Sequence, residues 1–152
     1  MPTITPFLWF NNNAEDAMTF YASVFPRTKV HSVQRAHGKV VSVEFEIEGQ
    51  RFMGLNGGPD FPFTEAVSFL VACETQAEID QLWSALTSGG GTPGRCGWLK
   101  DKFGLSWQVI PKNLGALLTG GGDAGRAQRV THAMLQMNKL DLNALQDAYD
   151  RE

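Results

Sequence analysis

One order of elements, β-α-β-β-β, can be read twice along this chain of 152 residues. A repeated unit of that kind restricts the fold to sheets with helices packed on one side, and predicts an α+β architecture. The first copy begins with a strand over residues 3–10. Asn13 is placed to cap a helix whose first turn carries Glu15 and Asp16, both favourable at the positive end of the helix dipole. Ala17, Phe20, Tyr21, Val24 and Phe25 recur at helical spacing as a core stripe, and Pro26 closes the helix. A strand from about Lys29 to Arg35 turns at His37-Gly38. The next alternates Val41, Val43, Phe45 and Ile47 with Ser42, Glu44, Glu46 and Glu48, the period of two expected of half-buried β structure. A turn at Glu48-Gly49-Gln50 leads to a strand over Arg51–Asn56, before Gly57-Gly58-Pro59 and a proline-containing link through Phe63.

The second copy starts with a strand over Ala66–Cys73. Thr75-x-x-Glu78 then forms a capping box for a helix with Ile79, Leu82, Trp83 and Leu86 on one face, ended by Gly89-Gly90-Gly91. Short strands around Thr92–Cys96 and Gly97–Lys100 precede a turn at Asp101–Gly104 and a last strand, Leu105–Pro111. On that strand Ser106, Gln108 and Ile110 share one face, while Leu105, Trp107 and Val109 share the other, which is expected to meet the helices. Past Pro111 the pattern turns helical. A short helix near Asn113–Leu118 is followed by a Gly120–Gly122 break. A second helix from Asp123 carries Ala127, Val130, Met134 and Met137, and a third after Asp141 carries Leu145, Ala148 and Tyr149 on a stripe suited to docking.

Thirteen Lys and Arg against sixteen Asp and Glu give a net charge of -3 with no long block of one sign, which argues against nucleic acid or an anionic membrane as partner. No segment approaches the roughly 20 apolar residues that cross a bilayer, and the N-terminus lacks the pattern of a secretory signal, so a cytosolic protein is expected. Cys73 and Cys96 lack metal-site spacing and are expected to stay reduced. Arg95 could favour a thiolate at Cys96, but with no base beside it an inert thiol is the expectation. The two triple-glycine runs follow helices rather than strands, so they read as helix stops and not as a nucleotide-cofactor turn.

ITPFLWF leading into NAEDAMTFYASVF, with CGWLKDKFGLSWQVIP closing the second copy, resembles the PhnB-like branch of the vicinal oxygen chelate (glyoxalase/bleomycin-resistance/dioxygenase) superfamily, often labelled 3-demethylubiquinone 3-methyltransferase-like. The resemblance covers nearly the whole chain. It implies one glyoxalase-like domain over 1–152, with module one at 1–58, module two at 64–111 and a helical extension at 112–152. It also implies a curved, eight-stranded concave sheet with helices outside, and a homodimer. Enzymes of the superfamily hold a divalent ion with His or Glu from the first and last strand of each module, leaving positions open for substrate oxygens.

At the corresponding strands this chain offers Thr5, Phe7, Trp9, Met53, Leu55, Asn56, Ser68, Leu70 and Gln108, none of them a strong ligand, and Gln108 stands where a metal-binding glutamate would be. His31, His37 and His132 fall on a strand, a turn and a C-terminal helix and do not converge in such a fold. Asp101 is read as a turn residue satisfying nearby amides, and Glu44, Glu46 and Glu48 as a solvated row. The expected site is therefore a cavity without metal or other cofactor, in which Phe7, Trp9 and Met53 give apolar contact and Ser68 and Gln108 orient a small-molecule ligand. Sequence alone leaves open whether a reaction follows. The rival readings are a metal-dependent lyase, isomerase or dioxygenase, and an interaction protein whose surface is the helices from Asp123 onward.

Overall fold

The computed structural model describes residues 1–152, which separate into two compact units, Met1–Phe63 and Thr64–Glu152. In the first unit, β1 (Phe7–Phe10), α1 (Ala14–Val24), β2 (Thr28–Ala36), β3 (Lys39–Ile47) and β4 (Gln50–Asn56) realise the order β-α-β-β-β. The sheet order is β1-β4-β3-β2, with β1 parallel to β4 and the other neighbours antiparallel. Both hairpins turn on paired left-handed residues, His37-Gly38 and Glu48-Gly49, whose twist suits adjoining strands. One sheet face carries Leu8, Phe10, Val43, Phe45, Ile47 and Phe52, and α1 contributes Ala17, Met18, Tyr21 and Val24, all buried. Tyr21 stacks on Phe45, and Phe45 on Phe52.

Two local expectations need correction. The first strand begins at Phe7 rather than residue 3, because Pro2 and Pro6 have no N–H to give a ladder, although the Pro6 carbonyl still accepts from the Met53 amide. Asn13 occupies the capping position of α1 without a side-chain hydrogen bond; Asn56, at the end of β4, does that work by accepting from the Ala14 amide at 2.9 Å. The Asn56 amide also donates to the Val40 carbonyl, so one side chain ties helix start to sheet.

The second unit repeats the plan with β5 (Ser68–Cys73), α2 (Gln76–Thr87), β6 (Thr92–Pro93), β7 (Trp98–Lys100) and β8 (Ser106–Pro111), in sheet order β5-β8-β7-β6. The eight strands thus fall four and four into two sheets of the same connectivity. Thr75 caps α2 as its motif predicts, accepting from the Glu78 amide, while the Glu78 carboxylate reaches back to the Glu74 amide. The strand expected over Thr92–Cys96 stops at Pro93. Cys96 has a left-handed backbone, and the amides of Cys96 and Gly97 are drawn away to the carbonyls of Met137 and Asn138.

Those carbonyls belong to the helical extension: α3 (Leu114–Thr119), a 3-10 turn at Gly120–Gly122, α4 (Ala124–Leu135) and α5 (Leu142–Asp150). Asp123 and Asp141 cap α4 and α5 through their carboxylates. Leu114, Leu117, Val130, Leu140, Leu145 and Ala148 form its core, with Met134 and Met137 packed alongside, although Met137 lies past the end of α4 rather than on its face. Gln76 clips this extension to α2, donating to the Leu140 carbonyl and accepting from the Leu142 amide. No helix is long and apolar enough to cross a membrane.

Leu140 is fully buried and covers Gly97, so Leu140→Ala removes packing at the junction of extension and sheet. A loss of about 2–4 kcal/mol is expected in urea unfolding, in the range of buried leucine truncations.

Candidate functional site

In the second unit, the sheet face opposite Trp107 is built by register. Ser68 on β5, Ser106 on β8 and Lys100 on β7 are direct neighbours in one row, and Leu70, Gln108 and Trp98 form the next. Directly opposed side chains on a sheet lie about 4.5–5.5 Å apart at Cβ, so each row is one small surface. Gln108 donates from Nε2 to the Ser68 Oγ at 2.9 Å, uniting two of the residues expected at the site. Ser106 is fully buried, and its Oγ has no hydrogen-bond partner. Lys100 pairs with Glu65, three residues ahead of Ser68. That ion pair holds the Glu65 carboxyl below its ordinary range.

The phase of this face is set from beneath. Asp101 is buried and accepts from the amides of Phe103 at 2.8 Å and Leu105 at 3.1 Å and from the Trp107 indole at 2.9 Å. The turn role expected of Asp101 is what the structure shows, with the added bond to Trp107. Trp107 meets Phe69 edge-on on the core side, which puts Ser106 and Gln108 on the opposite side.

In the first unit, Phe7, Glu44 and Met53 stand in one row, and Trp9, Ser42 and Leu55 in the next. Phe7 is 55% exposed. Trp9 is held rigidly: its indole donates to the Gly58 carbonyl at 2.9 Å, and Phe61 meets it edge-on at 4.9 Å. Gly57 makes room for it, since a Cβ there would lie 2.2 Å from the indole ring. This face is more charged than expected. The row read as solvated carboxylates shares it with Phe7, Trp9 and Met53, and each carboxylate has a partner: Glu44 takes Arg51 at 2.6 Å, Glu46 takes His31 at 3.4 Å, and Glu48 at the turn takes Arg27 at 2.5 Å.

Phe7, Trp9 and Met53 are therefore brought together in one unit, and Ser68 and Gln108 in the other. Lys100, Glu65 and Arg51 were not expected at the site, and Ser106 and Glu44 were read only as a residue on the Gln108 face and as part of a solvated row. Ser106 was within reach of the period-two phase that selected Gln108. No group of three or more His, Cys, Asp or Glu could hold a metal ion, and the amide and hydroxyls at Gln108 and Ser68 do not replace carboxylate and imidazole donors, so the residues present do not fit a superfamily metal centre. Both triple-glycine runs follow helices, as expected, with Gly120 in the left-handed cap of α3. Both cysteines are free; burial, aided by the nearby Glu78 charge, pushes the Cys73 thiol up to about 11.

The sequence profile of the 3-demethylubiquinone-9 3-methyltransferase family matches residues 2–110. Among solved structures, the PhnB protein from Bacillus cereus, described as a 3-demethylubiquinone-9 3-methyltransferase, is 35% identical with a TM-score of 0.66, covering 72% of this chain and 99% of its own. The protein PA1353 from Pseudomonas aeruginosa is 20% identical with a TM-score of 0.60, covering 73% and 98%. A glyoxalase/bleomycin resistance protein from Albidiferax ferrireducens T118 is 14% identical with a TM-score of 0.50, covering 70% and 95%, a likeness of fold. No curated protein matches the chain. The profile ends at Ile110, so the helical extension stands outside it.

Asp101→Ala strips a buried acceptor from three N–H donors and should cost about 3 kcal/mol or more, whereas Ser106→Ala removes an unpaired hydroxyl and should leave the melting temperature unchanged or raise it by a few degrees. Differential scanning calorimetry on both variants checks the contrast. Because the fold raises the Cys73 pKa above its ordinary 9.0, the stability it contributes is complete below about pH 9 and is lost as pH rises through about 11. At pH 8, iodoacetamide should leave Cys73 unmodified in the native protein and label it in urea.

Proposed function

The chain belongs to the 3-demethylubiquinone-9 3-methyltransferase family, the PhnB-like branch of the glyoxalase/bleomycin-resistance superfamily, and from that premise we propose that it binds a small, moderately apolar molecule without a metal. The observation that carries this reading is the Gln108–Ser68 hydrogen bond, a neutral pair where enzymes of the superfamily place metal ligands. In the second unit Gln108 and Ser68 anchor polar atoms of the ligand. In the first unit, Phe7, Trp9 and Met53 form an apolar surface of their own, with Trp9 pre-oriented by Gly58 and Phe61 so that little side-chain freedom is lost when a molecule packs on it.

Binding, sequestration or catalysis on a bound molecule all start from that anchor, and the metal-dependent lyase, isomerase and dioxygenase reactions of the superfamily lack a donor set here. The methyl-transfer activity in the family's name is not assigned to this chain, because its glycine runs terminate helices and offer no strand-to-helix turn for a nucleotide cofactor. A homodimer acting in the cytosol, with both modules and the extension working as a single domain, completes the proposal.

Native mass spectrometry of the purified protein should give a dimer that carries an organic adduct and no stoichiometric metal; a stoichiometric metal ion would overturn the metal-free site. Gln108→Ala should weaken retention of the adduct about tenfold, the loss of one good hydrogen bond, with unfolding unchanged. Unaltered retention removes Gln108 from the site.

A further inference from the structure

Ser106 presents an anomaly for a strand residue in a well-packed unit: a fully buried hydroxyl with no partner, which costs about 1–3 kcal/mol of desolvation with no return in the free protein. Its two neighbours across the sheet show what it could serve. Ser68 lies to one side on β5, and Lys100 to the other on β7. The Lys100 ammonium does not point away into water alone but pairs with Glu65, which leads into β5. The pair therefore links Lys100, the β7 neighbour of Ser106, to the segment that leads into Ser68, its β5 neighbour.

In this row the donor inventory favours an anion. Ser106 has a hydroxyl proton unused, Ser68 accepts from Gln108 and so keeps its own hydroxyl proton, and Lys100 already holds a carboxylate. The adjoining row is apolar apart from Gln108, with Leu70 54% exposed and Trp98 half-buried.

We propose that Ser106, Ser68 and Lys100 form a carboxylate subsite, that the Glu65 carboxylate is its built-in competitor, and that the ligand is a small organic acid whose apolar body lies along Leu70 and Trp98. This rests on the small-molecule reading above and names the class of molecule. Glu65 and Lys100 have side chains 60% and 42% exposed, so their pair is weak and exchangeable. A ligand carboxylate gains the same ammonium and adds the Ser106 hydroxyl, which Glu65 leaves unsatisfied; charge-assisted bonds of that kind are the stronger ones.

The probes are phenylacetate and its neutral isostere phenylacetamide, titrated into the isotopically labelled full-length protein and read by amide chemical shifts. Phenylacetate should shift Ser68, Lys100, Ser106 and Gln108 and bind about tenfold or more tightly than the amide. Glu65→Gln should tighten phenylacetate several-fold without changing the amide, because it removes the competitor; Lys100→Met and Ser106→Ala should each weaken it at least fivefold. Equal binding of acid and amide, no tightening in Glu65→Gln, or no binding of either probe overturns the carboxylate subsite. The wider reading is judged separately by the adduct in native mass spectra: equal binding at these four residues sinks the anion and keeps a small-molecule site.

Discussion

The buried Asp101 carboxylate is the constraint on which the second unit's surface depends. By accepting from the Phe103 and Leu105 amides it fixes the turn before β8, and by accepting from the Trp107 indole it fixes which way β8 faces. A strand has only two phases, and a slip of one residue would exchange every side chain between faces. With Trp107 tied inward, Ser106 and Gln108 can only emerge on the other side, beside Ser68 and Lys100. A structural acid thus sets which side chains β8 presents on the face away from the helix.

The order of elements was legible because both periodicities are strong: α1 stacks Tyr21 on Phe45, and β3 alternates buried and half-buried residues from Val43 to Ile47, although Val41, expected on the same core face, is exposed. Boundaries were less legible where a backbone group has a distant partner. Asn13 has the composition of a cap, yet Asn56 supplies the bond, and only the fold brings residues 42 apart into contact. The early end of β6 has the same origin, since nothing near Cys96 in sequence announces that its amide bonds to Met137. The grouping of Ser68 with Gln108 followed from strand phase alone. The charges around Phe7 and Met53 did not, because only the β3–β4 register puts Glu44 beside Met53.

The two units show how one plan diverges. In each, the first strand runs parallel to the last, and the face away from the helix combines apolar residues with an ion pair: Glu44 with Arg51 in the first unit, Glu65 with Lys100 in the second. The settings differ. Glu44 and Arg51 sit on adjacent strands, where Arg51 meets one carboxylate oxygen through two nitrogens, Nε at 2.9 Å and Nη2 at 2.6 Å, a geometry that holds both groups in place. Lys100 offers a flexible point charge, and its partner lies outside the strands. The first pair shapes a surface, whereas the second can open without disturbing the ladder.

That difference bears on why an unpaired hydroxyl persists at Ser106. Alanine would fit the same volume without the desolvation penalty, and packing alone gives no reason to prefer serine, since Ser106 contributes nothing to the Trp107 side of the sheet. A hydroxyl that is silent in the free protein acquires a purpose only in a second state, in which an acceptor has taken the place of Glu65 at Lys100. The cost of keeping Ser106 unsatisfied then becomes part of the selectivity: a neutral ligand gains little by competing with Glu65 for Lys100, whereas an anion that does so is met by a donor already desolvated and placed by the β8 backbone.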